Sequence, residues 1–267
     1  MANTDLMNKL ANKTSTNATT QIQSVQNMLG DIKTKKRFEE LLGKKAQGFM
    51  SSIINVVNGN TDLKECDPRT VLGSSAIAAS LDLPIDPNLG FAYLIPFNVK
   101  SGGTYVKKCQ FQIGYKGFVQ LAMRTGMYKT ISATEIYEGE VKNYNRITSE
   151  IELGEAVSNK VVGYIAYFKL LNGFEKYLYM TKEEVENHAK TFSKTYKSEY
   201  GIWKKDFNSM ATKTVLKRLL SKYGILSIEM NTALTNDQAV IQNIDDTENI
   251  EYVDNPSNET IVEVDID

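Results

Sequence analysis

The stretch Phe111-Gln112-Ile113-Gly114-Tyr115-Lys116-Gly117-Phe118 most restricts the architecture, because an alternating strand pattern passes directly into a helical one through two glycines. Glycine lets a backbone turn sharply or lets another group come close. The junction therefore presents Tyr115 and Lys116 beside the free amides of a helix N-terminus, an arrangement that suits an anion. The plainer alternative is a tight turn in which Tyr115 packs and Lys116 is solvated. The surroundings favour the anion: Tyr105, Lys107 and Lys108 precede the stretch, and Arg124, Tyr128 and Lys129 follow it. Cations interleaved with aromatic rings suit a polyanion that carries flat bases.

The flanking segments predict a strand, strand, helix, strand unit. Phe91 to Phe97 and Tyr105 to Ile113 alternate and are joined by a Gly-rich loop, the pattern of a hairpin. Phe118 to Thr125 continues as a helix that stops at Gly126, and Met127 to Tyr137 returns as a strand. Upstream, apolar residues from Phe38 to Val57 recur at three and four, predicting one amphipathic helix over 34–57. Asp67 and Pro68 form an N-cap with proline at the first helical position, opening a helix of small residues that ends before Pro84 and Pro87. Downstream, residues 138–158 read as loop with a short strand. Asn172-Gly173 marks a hairpin between Val161–Leu171 and Phe174–Met180. Thr181 with Glu184 makes a capping box. The fold class expected is α+β: a small antiparallel sheet with a β-β-α-β core surrounded by helices.

Trp203 to Tyr223 is the second candidate for function. It carries Lys204, Lys205, Lys213, Lys217, Arg218 and Lys222 against one acid, Asp206. At about 100° per residue, Val215, Leu216, Leu219 and Leu220 occupy one half of the helix and Lys213, Lys217, Arg218 and Lys222 the other. Like charges crowded on one face repel by tenths of a kcal/mol per pair, so the face gains from a polyanion. Charge along the whole chain agrees. Residues 231–267 hold ten acids and no Lys or Arg, which leaves 31 bases against 22 acids, or +9, on residues 1–230 beneath a formal total of −1. A basic body with an acidic tail fits a nucleic-acid binder or a partner-docking tail, with a solubilising tail as the bland alternative. Three divisions follow: a flexible arm with room for a short helix over 1–33, a basic folded body over 34–230, and an acidic, disordered tail over 231–267.

Several chemistries lack their signatures. Neither G-x-x-x-x-G-K-[ST] nor G-x-G-x-x-G occurs, so nothing points to an ATP-driven motor or a dinucleotide enzyme. Cys66 and Cys109 form no metal-ligand pattern and read as ordinary buried residues of a reducing cytosol. His188, the single histidine, reads as a solvated surface residue without a matching nucleophile. No run of eighteen apolar residues suggests a membrane span.

With these segments in place the chain resembles the RecT and Red-beta family of phage single-strand annealing proteins. The residues that carry the resemblance are Leu81 to Gly90, Ala92 to Phe97, Gly114-Tyr115-Lys116-Gly117, Arg124-Thr125-Gly126, Trp203, and Met210 to Leu219, over roughly 70–225. The resemblance implies an ATP-independent protein, cytoplasmic in a bacterial host and encoded by a phage or prophage. Such a protein coats single-stranded DNA, anneals complementary strands and assembles with itself into rings or helical filaments during recombination. It implies no covalent chemistry, so the chain is expected not to be an enzyme; a metal-dependent nuclease is the alternative. Single-stranded DNA and annealed duplex are the expected partners, a 5′-to-3′ exonuclease and the host single-strand-binding protein are candidate ones, and no membrane is involved. No cofactor or ATP is expected, with Mg²⁺ dependence of DNA binding left open. Carried onto this chain, the groove takes in Lys107, Tyr115, Lys116, Arg124, Lys129, Lys213, Lys217, Arg218 and Lys222, to which Lys204 and Lys205 are added from the basic helix.

Overall fold

The computed structural model describes residues 24–101, 104–193, 196, 201–243 and 246–252. The expected arm up to residue 23 and the acidic residues 253–267 lie outside them. The chain begins in short helices, α1 (Val25–Gly30), α2 (Ile32–Leu42), α3 (Ala46–Asn58) and α4 (Thr61–Lys64). Side-chain caps punctuate them: Ser24, Asp31 and Asn60 each accept a backbone N–H of the following helix. The single helix expected over 34–57 is therefore two. Gly43 takes a φ of 54°, a left-handed value that glycine adopts without a Cβ penalty, and one 3-10 turn joins α2 to α3. The predicted apolar face is correct, with Phe38, Ile53 and Val57 buried.

The small-residue helix α5 (Pro68–Ser80) starts where Asp67 and Pro68 place it, with the Asp67 carboxylate accepting the Arg69 N–H. Its residues Thr70 to Ala79 are all buried. The reason is close approach to a sheet: the Thr70 hydroxyl accepts the Cys109 N–H at 2.9 Å and the Ser74 hydroxyl donates to the Cys109 carbonyl at 3.2 Å. A Cβ on Gly73 would lie 2.6 Å from the Ile241 carbonyl oxygen.

The remaining elements follow in order: β1 (Ala92–Ser101), β2 (Thr104–Ile113), α6 (Tyr115–Arg124), β3 (Tyr128–Tyr137), β4 (Val141–Asn145), β5 (Glu150–Leu153), β6 (Val161–Leu170), β7 (Glu175–Thr181), α7 (Lys182–Phe192), α8 (Ile202–Lys205), α9 (Phe207–Tyr223), α10 (Ile228–Asn236), β8 (Ala239–Asn243) and β9 (Asp246–Tyr252). The β-β-α-β order is present, and the class is α+β. The strands, however, divide between two main antiparallel sheets, ordered β1-β2-β8-β9 and β3-β6-β7, with β4 and β5 a separate hairpin. Thus β3 does not pair with β1 or β2; α6 bridges the two sheets. Beneath the second sheet lies α9, whose Ala211, Val215, Leu216, Leu219 and Leu220 are buried together with Tyr164, Ala166 and Phe168 of β6.

Two expectations need correcting. The basic helix over Trp203–Tyr223 breaks at Asp206, which leaves helical geometry (φ −148°, ψ 74°) so that its carboxylate can accept the Ser209 N–H and cap α9. The acidic tail, expected from residue 231, is folded as far as Tyr252. Met230, Ala233, Ala239, Val240 and Ile241 are buried, and β8 joins β2 with Phe111 opposite Ala239.

Candidate nucleic-acid interface

The Gly-Tyr-Lys-Gly junction is a packing device before it is anything else. A Cβ on Gly114 would lie 2.1 Å from the Gly90 carbonyl oxygen, and one on Gly117 would lie 2.3 Å from that of Phe91. Only residues without a side chain let α6 start this close to the Gly90–Phe91 backbone, which also accepts the Gly114 N–H at 2.8 Å. Tyr115 is half-buried, and its hydroxyl accepts the Ala133 N–H at 3.2 Å, tying α6 to β3. The tyrosine thus packs. Lys116 is different: its stem lies along Gly90 and the residue is exposed.

Apart from Lys217, which belongs to the cleft described below, the other predicted cations separate into two groups. Lys107 is ion-paired, 2.7 Å from Asp62 and also bonded to Glu65, and these carboxylates hold its pKa well above the ordinary value. Arg124 spends its guanidinium on the Leu81 and Asp82 carbonyls at 2.6 and 2.7 Å, capping the end of α5. Lys213 is buried beside Asp237. Those three are structural, because each is held by a carboxylate or a carbonyl of the fold. Lys116, Lys129, Lys204, Lys205, Arg218 and Lys222 are exposed, with the Lys222 ammonium 5.1 Å from the Tyr223 ring centre.

Between α7 and α9 lies a cleft of about 250 Å³, floored by the ends of β2 and α10. Asp237, 2% exposed at its side chain, sits at its base. One carboxylate oxygen accepts the Ile113 N–H at 3.1 Å and lies 3.6 Å from Lys213 Nζ; the other takes a hydrogen bond from Lys217 Nζ at 2.6 Å. Burial alone would push the Asp237 pKa up, but Lys213, Lys217 and the Ile113 amide outweigh it and hold the carboxyl below its usual range. Burial also lowers the Lys213 pKa, against the opposing pull of Asp237. Above them, Arg218 Nη1 lies 3.2 Å from His188 Nδ1. The lining thus holds three cations, Lys213, Lys217 and Arg218, and one carboxylate.

His188 and Asp237 are the cleft residues that the sequence did not reveal. His188 is not a solvated surface residue. It is half-buried, its ring 4.6 Å from that of Phe192, and its pKa is pushed down to about 4, first by burial and then by Arg218 and Lys217. No local signal marks it, since its partner lies 30 residues away. Asp237 could have been found from the short apolar run Ala239-Val240-Ile241 beside it, which is consistent with a fully buried strand. Other expectations hold: Cys66 and Cys109 are buried and free, with burial pushing the Cys66 thiol up to about 11. Tyr196 packs, its ring edge-on to Trp203 at 6.0 Å. Among the described residues, no helix is long and apolar enough to cross a membrane, and no group of three or more His, Cys, Asp or Glu is placed to hold a metal ion.

The sequence comparisons define the class. The RecT family model matches residues 47–253, well over half of the chain, and the chain belongs to that family of DNA-binding, single-strand annealing proteins of recombination. It is 46% identical to the uncharacterized protein YqaK of Bacillus subtilis (strain 168) over 241 residues, covering 88% of this chain and 81% of that protein. It is 30% identical to Protein RecT of Escherichia coli (strain K12) over 179 residues, covering 66% of this chain and 65% of that protein. The family match runs past the 70–225 of the sequence motifs and takes in α3, α4, α10, β8 and β9.

Proposed function

We propose that this protein binds single-stranded DNA without regard to sequence and anneals complementary strands without ATP, a bound cofactor or covalent chemistry, working as an oligomer on the DNA. The observation that carries this reading is the surplus of cations over carboxylates in the cleft between α7 and α9, inside the region that matches the RecT family. Three cations facing one carboxylate leave two positive charges uncompensated in a partly dry site, and a chain of phosphates is the ligand that neutralises such an excess repeatedly along its length. Phosphate contacts fix a strand and leave its base edges free to test a partner strand, which is what annealing requires. The exposed Lys116, Lys129, Lys204, Lys205 and Lys222 add donors at the surface, while Lys107, Tyr115, Arg124 and Lys213 act by shaping the scaffold. Duplex product, further copies of the chain, a 5′-to-3′ exonuclease and the host single-strand-binding protein are the partners this reading admits, in the cytoplasm of the host.

Two labelled complementary strands incubated with the protein and Mg²⁺, without ATP, test it. Duplex should form faster than in buffer, with both strands intact. Shortened strands would replace this reading with the metal-dependent nuclease, and unchanged annealing of intact strands would remove it.

A further inference from the structure

The cleft between α7 and α9 holds one contact that neither packing nor the Asp237 cluster explains. Arg218 is exposed and, among the described residues, has no carboxylate within ion-pair distance. Its guanidinium meets His188 Nδ1 at 3.2 Å. A guanidinium only donates, so Nδ1 must accept and the ring proton sits on Nε2. An imidazole that turned either way would be ambiguous, but Arg218 fixes the tautomer, and the Phe192 ring packs against the imidazole at 4.6 Å. In return the imidazole holds one edge of the guanidinium and leaves the rest of the fork available. A bidentate fork is the geometry that matches a phosphate.

The groups facing His188 come from two further elements. From α9 there are Lys217 and Arg218, with Lys213 deeper in the cleft, and from the α10–β8 turn there is Asp237. All but Asp237 are cationic. Asp237 is already engaged by Lys217 and the Ile113 amide, so it does not compete for Arg218.

We propose that the cleft is a subsite for one backbone phosphate of the bound strand, with Arg218 as its donor and His188 as the positioning residue that aims Arg218 by accepting a hydrogen bond on Nδ1. The inference rests on the single-strand-binding reading above and adds to it a place and a residue. His188 touches no phosphate itself; it acts through the guanidinium. Lys213 and Asp237 form the fixed floor, and Lys217 supports Arg218 by adding to the local positive potential.

Because His188 is the single histidine of the chain, its imidazole gives an unambiguous NMR signal. The full chain is titrated with oligo(dT), and separately with inorganic phosphate, while the ¹⁵N shifts of the imidazole are followed against pH. Binding of oligo(dT) is measured in parallel by fluorescence anisotropy. A phosphate on Arg218 neutralises the field that helps to depress the imidazole, so the titration midpoint, near 4 in the free protein, should rise when oligo(dT) binds. Arg218→Gln should flatten the dependence of log affinity on log salt by roughly 0.7, the effect of one lost phosphate contact on a single strand. His188→Leu, which cannot accept, should flatten it similarly, and His188→Gln, whose carbonyl can, should restore it. The double variant His188→Leu, Arg218→Gln should bind no more weakly than Arg218→Gln alone. Oligo(dT) binding with an unmoved His188 signal, or additive losses in the double variant, overturns the subsite and leaves single-strand binding standing. Absent oligo(dT) binding in the parent protein removes both. A His188 signal that moves with inorganic phosphate alone, in a protein that does not bind oligo(dT), assigns the cleft to a free anion and overturns the strand phosphate.

Discussion

Replacing Asp237 by alanine tests the corrected C-terminal boundary and the electrostatics of the cleft together. The carboxylate is 2% exposed and faces Lys213, 11% exposed, and Lys217, 30% exposed. Removing one partner of a buried ion pair typically costs about 3–5 kcal/mol, because the other charge stays behind in a poor solvent. Lys217 can swing toward water and recover part of its solvation; Lys213 cannot, so the cost falls mainly on that lysine. The Ile113 N–H also loses its acceptor, a penalty included in that range rather than added to it. With a urea dependence of about 3 kcal/mol per molar for a chain of this size, the midpoint should fall by about 1–1.7 M. Trp203, the single tryptophan, is buried in the cleft wall and reports the transition by its fluorescence. Asp237→Asn keeps the shape and removes the charge, and should fall less. Combining Asp237→Leu with Lys213→Met should recover most of the loss, since an apolar pair of similar volume often replaces a buried ion pair at little cost. A midpoint for Asp237→Ala within about 0.2 M of the parent would refute the reasoning, and with it the placement of this residue in the core.

Gly73→Ala would set a Cβ 2.6 Å from the Ile241 carbonyl oxygen, so α5 or β8 must shift; a loss of about 1–3 kcal/mol in chemical denaturation is expected. Truncation after Met230 should destabilise the protein and disturb the cleft, whereas truncation after Tyr252 should leave the denaturation midpoint in place; equal midpoints would return residues 231–252 to the tail. His188 has a folded pKa near 4, below its ordinary 6.5, so its neutral form contributes stability above about pH 6.5 that is lost as pH falls toward 4. The parent should lose midpoint more steeply than His188→Gln between those values, and parallel curves would refute the burial. Lys116→Ala should flatten the salt dependence of single-strand binding by roughly 0.7 with folding unchanged, with Lys182→Ala, in the α7 capping turn, as the control.

What the sequence revealed was local. The Asp67–Pro68 start of α5, the Asn172-Gly173 turn and the Thr181–Glu184 capping box each lie within a few residues, where backbone chemistry decides the outcome, and all three stand in the structure. The cleft is assembled from pairs that sequence spacing cannot connect: His188 with Arg218, Lys217 with Asp237, Ile113 with Asp237. Helical periodicity placed Lys213 with the outward cations of α9, but a helix covered on more than one side has no wholly outward half, and Lys213 is buried with Thr214. Composition misled in the same way at the C-terminal end, where the acids dilute a short apolar strand that packs against α5.

The pairing of β2 with β8 sets Phe111 opposite Ala239, 128 residues further along the sequence. During synthesis the β1–β2 hairpin must therefore wait with one edge bare, and α5 with its surface at Gly73 uncovered, until β8 has been made. At about 5–20 residues per second that interval is on the order of ten seconds. For that time the unfinished sheet presents a free strand edge of the kind that pairs with whatever strand it meets first, including the same edge on another nascent copy. Assembly of this chain is therefore vulnerable at one stage of translation rather than throughout, and slowing the ribosome between the codons of β2 and β8 should raise the share of aggregated product, whereas slowing it after β9 should not.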